Sequence, residues 1–200
     1  EGRHSVLRDW FNLLNRGHRH AAVGNSDSHT VHFDFAGWPR NYVPSSTDDP
    51  AKIDVREVAA SVRAMNCFTT LGPFVTLRCF DEVHELAGQS NYWAALPDRV
   101  VRRNPMNRLL PSFEIRVHAA SWIDVDRVKV VVDGDVLETV PVGNGRGSLR
   151  LNCSREVSEY APEHGGDYWI AFLVEGDDPL DPIVVDQEQP ARPIAIVNPL

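Results

Sequence analysis

An aspartate and a histidine, two positions apart, are the residues of this sequence with the most obvious chemical potential. Asp27 and His29 follow Gly24 and the segment His20 to Val23, which is typical of a short strand. In an extended segment, side chains at positions i and i+2 point to the same side, roughly 6.5–7 Å apart along the chain. A carboxylate oxygen and an imidazole nitrogen suit Zn, Mn or Fe. The spacing therefore makes Asp27 and His29 candidate metal ligands.

The spacing by itself is a weak signal. Polar residues in such loops are often turn or helix-capping residues, and this pair is too small to close a metal site on its own. His18, His20 and His32 lie nearby in the sequence. Histidines that are exposed or hydrogen-bonded are the commoner case, so we expect none of these three to be a ligand.

Composition excludes some classes of function. The 200 residues are 42% hydrophobic and 24% charged, which is ordinary for a soluble globular protein. The net charge of −8 argues against a nucleic-acid or anionic-membrane partner, because both require a surplus of Lys and Arg. The apolar runs are too short for a transmembrane helix. The spacing of Cys67, Cys79 and Cys153 does not match a zinc ribbon, and free buried thiols are expected.

The cellular compartment stays open. No basic-then-apolar signal segment opens the sequence, but its first residue is Glu rather than Met. We therefore expect an upstream portion, and with it either a cytoplasmic protein or a periplasmic or secreted one whose signal has been removed.

Two helices are expected in the first 70 residues. Apolar residues from Val6 to Leu14 follow helical spacing, with Ser5 as the N-cap and Gly17 at the C-terminal end. A second helix is predicted from Asp54 to Met65, with Asp54 and Glu57 resembling a capping box.

After Asn66 the pattern changes to short β-rich runs separated by Gly and Pro turns. Asp133-Gly134-Asp135, between two of them, is a strong hairpin signal. Such a pattern predicts a β-sandwich over residues 72–200, with residues 81–112 irregular. The predicted strands are Cys67 to Leu71, Phe74 to Phe80, Phe113 to Ala119, Arg127 to Val132, Val136 to Val140, Ser148 to Leu151, Tyr168 to Val174 and Ile194 to Val197.

Residues 1–71, with two helices and one short strand, are too few elements for a complete α/β domain. They are expected to be the end of one, with a domain boundary near residue 71.

A set of short motifs in fixed order resembles the CehA/McbA branch of the PHP (polymerase and histidinol phosphatase) metallohydrolases. The motifs are Asp9-Trp10-Phe11-Asn12-Leu13-Leu14-Asn15-Arg16-Gly17, Gly24-Asn25-Ser26-Asp27-Ser28-His29, Gly37-Trp38-Pro39-Arg40-Asn41-Tyr42-Val43, Thr70-Leu71-Gly72-Pro73-Phe74, Ala120-Ser121-Trp122-Ile123-Asp124-Val125-Asp126, Asp133-Gly134, Asp167-Tyr168-Trp169 and Ala195-Ile196-Val197-Asn198-Pro199. The resemblance covers most of the chain except about residues 81–112.

The resemblance implies a fold and a chemistry. Residues 1–71 would be the C-terminal segment of a distorted PHP β/α barrel, and residues 72–200 an immunoglobulin-like accessory sandwich. Asp27 and His29 would be the last ligands of a divalent metal site for Zn, Mn or Fe, whose other ligands lie upstream. The metal would activate water to hydrolyse a small-molecule phosphoester, ester or carbamate. The isolated chain would then be inactive.

Arg40 is a second candidate site residue. A guanidinium binds phosphate or carboxylate in a bidentate manner, so Arg40 could hold the anionic part of a substrate. An exposed loop arginine or a local salt bridge is an equal alternative. Trp122, Trp169 and Tyr168 could stack on a carbohydrate, although aromatic packing in the sandwich core is the expected role.

Two functional hypotheses remain. In the first, the chain is the C-terminal portion of a metal-dependent hydrolase and packs against the upstream barrel portion of the same protein. In the alternative, it is a non-catalytic β-sandwich that acts as a binding or structural module. Histidine pairs of the H-x-H type upstream of residue 1 would decide for the enzyme.

Overall fold

The computed structural model describes residues 5–30, 36–80, 112–143, 145–163, 165–182, 184 and 190–199. The segment expected to be irregular lies outside this range except for Ser112, which begins a strand, and His32 also lies outside it. In the described residues the helices are α1 (Val6–Asn15) and α2 (Val55–Arg63), the short 3-10 helices are Pro50–Lys52 and Val157–Tyr160, and the strands are β1 (Arg40–Tyr42), β2 (Phe68–Thr70), β3 (Phe74–Phe80), β4 (Ser112–His118), β5 (Arg127–Val132), β6 (Asp135–Pro141), β7 (Leu149–Glu156), β8 (Ile170–Glu175) and β9 (Ile194–Val197).

The strands form two antiparallel sheets around one buried core. One sheet has six strands in the order β1-β2-β9-β8-β5-β6, and the other has three in the order β3-β4-β7. Buried positions alternate along β4, as expected for a strand with one face on a core. Phe113 of β4 meets Phe172 of β8 edge to face, with ring centroids 4.9 Å apart. This arrangement, with side chains of both sheets in one core, is compatible with the predicted β-sandwich.

The hairpin turn between β5 and β6 is confirmed. Asp133 and Gly134 both have positive φ, at 51° and 99°. Two central residues with positive φ are the requirement of a tight turn whose twist matches the flanking strands, and Asp-Gly meets it at little cost.

Two expectations about strands are wrong. His20 to Val23 does not form a strand, because its neighbours are side-chain amides rather than another backbone, as described below. Conversely, β1 lies between the two predicted helices, where no strand other than His20 to Val23 was expected. It pairs antiparallel with β2, with Asn41 opposite Thr69. Strands β1 and β2 precede residue 71 and belong to the six-stranded sheet, so this sheet draws strands from both sides of the expected boundary.

Helix α1 packs on a second, smaller cluster of apolar residues. Trp10 and Leu14 of α1 are buried there with Met65, against Ile196 of β9 and Trp169. Trp169 Nε1 also donates to Asn15 Oδ1 at 2.7 Å, which fixes the end of α1 to the sheet. The N-terminal segment is thus attached to the outer side of the six-stranded sheet.

Helix α2 has its predicted N-cap, but the predicted capping box does not form. Asp54 Oδ1 accepts from Arg56 N at 2.8 Å. Glu57 does not complete a capping box, because its carboxylate instead accepts from Ser46 N and Ser46 Oγ, both at 2.8 Å. No residue of α2 is buried, and Val55 is 77% exposed. Among the described helices, none has the length and apolar character needed to cross a bilayer.

Candidate metal and anion site

Asp27 and His29 lie side by side on the surface. His29 Nε2 is 3.6 Å from Asp27 Oδ1, and the two side chains are 74% and 91% exposed, respectively. The backbone path differs from the expected extended one, because Asp27 has a φ of 50°, in the left-handed region. The left-handed conformation of Asp27, rather than strand alternation, therefore accompanies the closeness of the two side chains.

Gly24, at the start of this loop, is held by the side chain of Asn41. Gly24 N donates to Asn41 Oδ1 at 2.9 Å, and Asn41 Nδ2 donates back to Gly24 O at 2.8 Å. A Cβ on Gly24 would lie 2.3 Å from Thr69 Oγ1, which is well inside contact distance. Only glycine can bring the backbone this close to β2, so the residue type at position 24 fixes the start of the loop.

Asn198, directly after β9, holds the preceding residues in the same way. Ala22 N donates to Asn198 Oδ1 at 2.6 Å, and Asn198 Nδ2 donates to Ala22 O at 3.2 Å and to Cys67 O at 2.8 Å. Asn198 is buried, so these bonds are shielded from water. Burial also raises the pKa of the Cys67 thiol, partly opposed by its hydrogen bond to Asn198. The two asparagine amides therefore take the place that a neighbouring strand would have.

The Asp27–His29 pair fits part of a divalent metal site. Metal–ligand bonds of about 2.0–2.2 Å place two ligand atoms of a tetrahedral or octahedral ion roughly 3.0–3.5 Å apart. The observed 3.6 Å needs only a small adjustment to reach this range. Within the part of the chain that the structure describes, no group of three or more His, Cys, Asp or Glu residues could hold a metal ion. Further ligands would have to come from outside the described residues.

His18 and His20 do not add to this pair within the part of the chain that the structure describes. His18 and His20 stack on each other, with ring centroids 6.3 Å apart. The His20 carbonyl accepts a hydrogen bond from Trp10 Nε1 at 2.7 Å. This bond ties the chain after α1 to the helix, which is a structural role.

Arg40 is oriented by its own loop. Its Cζ lies 4.5 Å from the centroid of the Trp38 ring, and its Nε donates to Gly37 O at 2.9 Å. The local salt bridge considered from the sequence is not found, since no carboxylate of the described residues pairs with Arg40. The two terminal guanidinium nitrogens have no hydrogen-bond acceptor in that same part of the chain.

Of the three aromatic residues expected in the sandwich core, only Tyr168 packs against it. Trp169 packs in the α1 cluster, and Tyr168 packs against the main core, where its hydroxyl donates to Val157 O at 3.2 Å. Trp122 instead is 45% exposed, so the expectation that it packs in the core is wrong. It lies beside Trp38, with ring centroids 6.3 Å apart.

The sequence analysis missed the positioning roles of Asn41 and Asn198. Asn198 is a buried carboxamide directly after the β-rich run Ile194–Val197, whereas Asn41 lies in a short strand that no sequence pattern indicated. Buried polar side chains require hydrogen-bond partners, so a polar residue beside an apolar strand was the available signal.

Comparisons of the chain with protein-family models, with curated proteins and with solved structures give no match.

Proposed function

We propose that this chain is the C-terminal part of a metal-dependent hydrolase of the PHP type, in which Asp27 and His29 are two of the metal ligands. The observation that carries the proposal is the 3.6 Å separation of Asp27 Oδ1 and His29 Nε2 on an exposed loop. An acidic oxygen and an imidazole nitrogen at this distance are a donor pair that Zn, Mn or Fe accepts. The order of motifs that resembles the PHP metallohydrolases supports the same proposal.

The anchoring of the loop also supports the proposal. A metal ligand must be held close to its binding geometry, and the residues that do this are usually hydrogen-bonded themselves. Asn41 and Asn198 fix Gly24 and Ala22 at 2.6–3.2 Å, only a few residues before Asp27. The ligand pair is therefore presented from a fixed base rather than from a free terminus.

Each candidate site residue would have a defined role. Asp27 and His29 bind the metal, which when present would activate water and polarise the scissile bond. Arg40, with its two terminal nitrogens free of acceptors in the described residues, holds an anionic part of a small phosphoester, ester or carbamate substrate. The β-sandwich, formed by residues 72–200 together with β1 and β2, is an immunoglobulin-like accessory domain in this proposal.

The missing ligands would come from an upstream barrel portion of the same protein. The surface of the N-terminal segment supports such a partner. Helix α2 buries none of its residues, and Val55 and Ile53 beside it are 77% and 43% exposed. Val6 and Leu13 of α1 are 84% and 40% exposed. Exposed apolar residues of this kind can pack against another part of a protein, although Val136, Leu137 and Leu149 in the later strands are also exposed.

The test requires the longer protein that includes this upstream portion. We expect Asp27→Asn and His29→Gln to remove bound metal and to lower hydrolysis of p-nitrophenyl esters and phosphoesters by more than about 100-fold, beyond what loss of a supporting residue costs. Asp48→Asn and His18→Gln are matched controls on exposed positions. Metal content is measured by elemental analysis. If metal content and turnover in both ligand variants equal those of the controls, the proposal is contradicted.

A further inference from the structure

A group of two tryptophans and an arginine, of which Trp122 is exposed and the other two are partly buried, lies at the start of β1. We call Trp38, Arg40 and Trp122 the Trp–Arg cluster. Trp38 precedes β1, whereas Trp122 comes from the connection between β4 and β5, so the cluster joins two distant parts of the chain. The two indole rings are tilted by 43° with centroids 6.3 Å apart. Trp122 nevertheless remains 45% exposed, and a large aromatic surface faces solvent.

Arg40 is held with its charge available. Its Cζ lies 4.5 Å from the centroid of the Trp38 ring and its Nε donates to Gly37 O, while its two terminal nitrogens have no acceptor among the described residues. Three other partly buried arginines of the sheets, Arg116, Arg127 and Arg155, each pair with a carboxylate at 3.0 Å or less, whereas Arg150 donates to backbone carbonyls. With 28 acidic and 20 basic residues, this chain has ample carboxylates to pair with Arg40. Within the described residues none does so.

The geometry limits where a ligand ring could lie. A ring inserted between two aromatic faces needs them parallel and roughly 7 Å apart, which is two van der Waals contacts of about 3.5 Å. The indoles of Trp38 and Trp122 are closer than this and tilted. A ligand ring therefore cannot enter between them and would stack on the exposed face of Trp122.

We propose that the Trp–Arg cluster is a binding site for a small planar aromatic carboxylate. The ring of the ligand packs on Trp122, and its carboxylate accepts two hydrogen bonds from the terminal nitrogens of Arg40. A guanidinium matches the planar geometry of a carboxylate, and its prior stacking on Trp38 lowers the entropy lost on binding. A neutral ring would lack the anion, and a simple anion would lack the stacking surface.

This inference deepens the role proposed for Arg40 but does not require a metal. Failure of metal binding by Asp27 and His29 would leave the cluster unchanged. Failure of carboxylate binding would leave the metal proposal unchanged, because the two are read out by different signals.

The test uses the chain itself and three probes: benzoate, benzamide and acetate. Binding is followed by the shifts of the Trp38 and Trp122 indole N–H resonances, assigned with Trp38→Phe and Trp122→Phe. We expect benzoate to bind most tightly and to shift both resonances. Arg40→Gln should weaken benzoate roughly tenfold, the effect of losing a charge-assisted hydrogen bond, and leave benzamide unchanged. Trp122→Ala should weaken benzoate and benzamide alike.

Arg56→Gln, on an exposed position of α2, is the matched control for loss of charge and should bind benzoate as the unaltered chain does. Equal binding of benzoate and benzamide would overturn the carboxylate assignment. Equal binding of benzoate and acetate would overturn the aromatic one. If Arg40→Gln disturbs folding, Trp122→Ala still decides, because its side chain is half exposed, and unchanged benzoate binding in that variant would overturn the site.

Discussion

Replacing Asn198 with alanine should detach the segment that leads to Asp27 and His29. The carboxamide makes three hydrogen bonds to backbone groups, two to Ala22 and one to Cys67, at 2.6–3.2 Å. Each such bond contributes about 1 kcal/mol net, and a buried group left without a partner costs about 1–3 kcal/mol. Asn198 is itself buried, so water cannot readily replace the lost partners. We expect Asn198→Ala to lower the free energy of unfolding by roughly 3 kcal/mol.

The assay is urea unfolding, combined with hydrogen exchange at the Ala22 amide. The amide should exchange much faster in Asn198→Ala, because its acceptor is Asn198 Oδ1. Asn152→Ala, at an exposed position of β7, is the matched control and should change stability by less than about 0.5 kcal/mol. A loss for Asn198→Ala no larger than this control, with the Ala22 amide still protected, would refute the anchoring role.

Three further predictions concern other parts of the chain. Gly24→Ala should lower the free energy of unfolding in urea by more than about 1 kcal/mol, because its Cβ would lie 2.3 Å from Thr69 Oγ1. Gly147→Ala, whose Cβ would lie 3.9 Å from Leu149 O, is the control and should not. Phe172→Ala should cost about 3–5 kcal/mol in the same assay, because the side chain is fully buried. The hydrogen bonds from Arg155 hold the pKa of Glu138 below its ordinary value. Its contribution to the free energy of unfolding is therefore complete above about pH 4.3 and is lost as pH falls through the lower folded pKa. Glu138→Gln should remove this part of the pH dependence of the free energy of unfolding.

Most of the β-structure was predictable because its causes are local. Strands such as β5 and β9 carry dense β-branched residues between turn signals, and their bounds agree with the prediction from the sequence. The turn at Asp133-Gly134 was equally predictable, since its positive φ values depend on the residue types at the two positions.

What could not be predicted depends on partners far away in the sequence. Strand β1 is a strand because β2 lies beside it, and its three residues carry no periodicity that would reveal this. The segment around Ala22 was expected to pair with a strand, but its partner is the side chain of Asn198, 176 residues away. Local patterns do not contain such pairings.

The candidate site likewise has one feature that local sequence predicted and others that depend on distant residues. The closeness of Asp27 and His29 was expected from their spacing, yet the expected strand geometry was not its cause, because Asp27 adopts a left-handed conformation. Trp122 was expected in the core on account of its size and its position in a β-rich region. Its place at the surface beside Trp38 depends on a contact between distant parts of the chain, which no spacing in the sequence indicates.

The most direct test of the metal-ligand assignment is a calorimetric titration with Zn²⁺ and Mn²⁺ of two proteins: this chain, and the longer protein with an upstream barrel portion that the proposal implies. The account predicts weak or undetectable binding by the chain, because the pair leaves most of the coordination shell to water. It predicts tight binding by the longer protein, lost in Asp27→Ala and His29→Ala. Tight stoichiometric binding by the chain alone, or undiminished binding in both alanine variants of the longer protein, would contradict it.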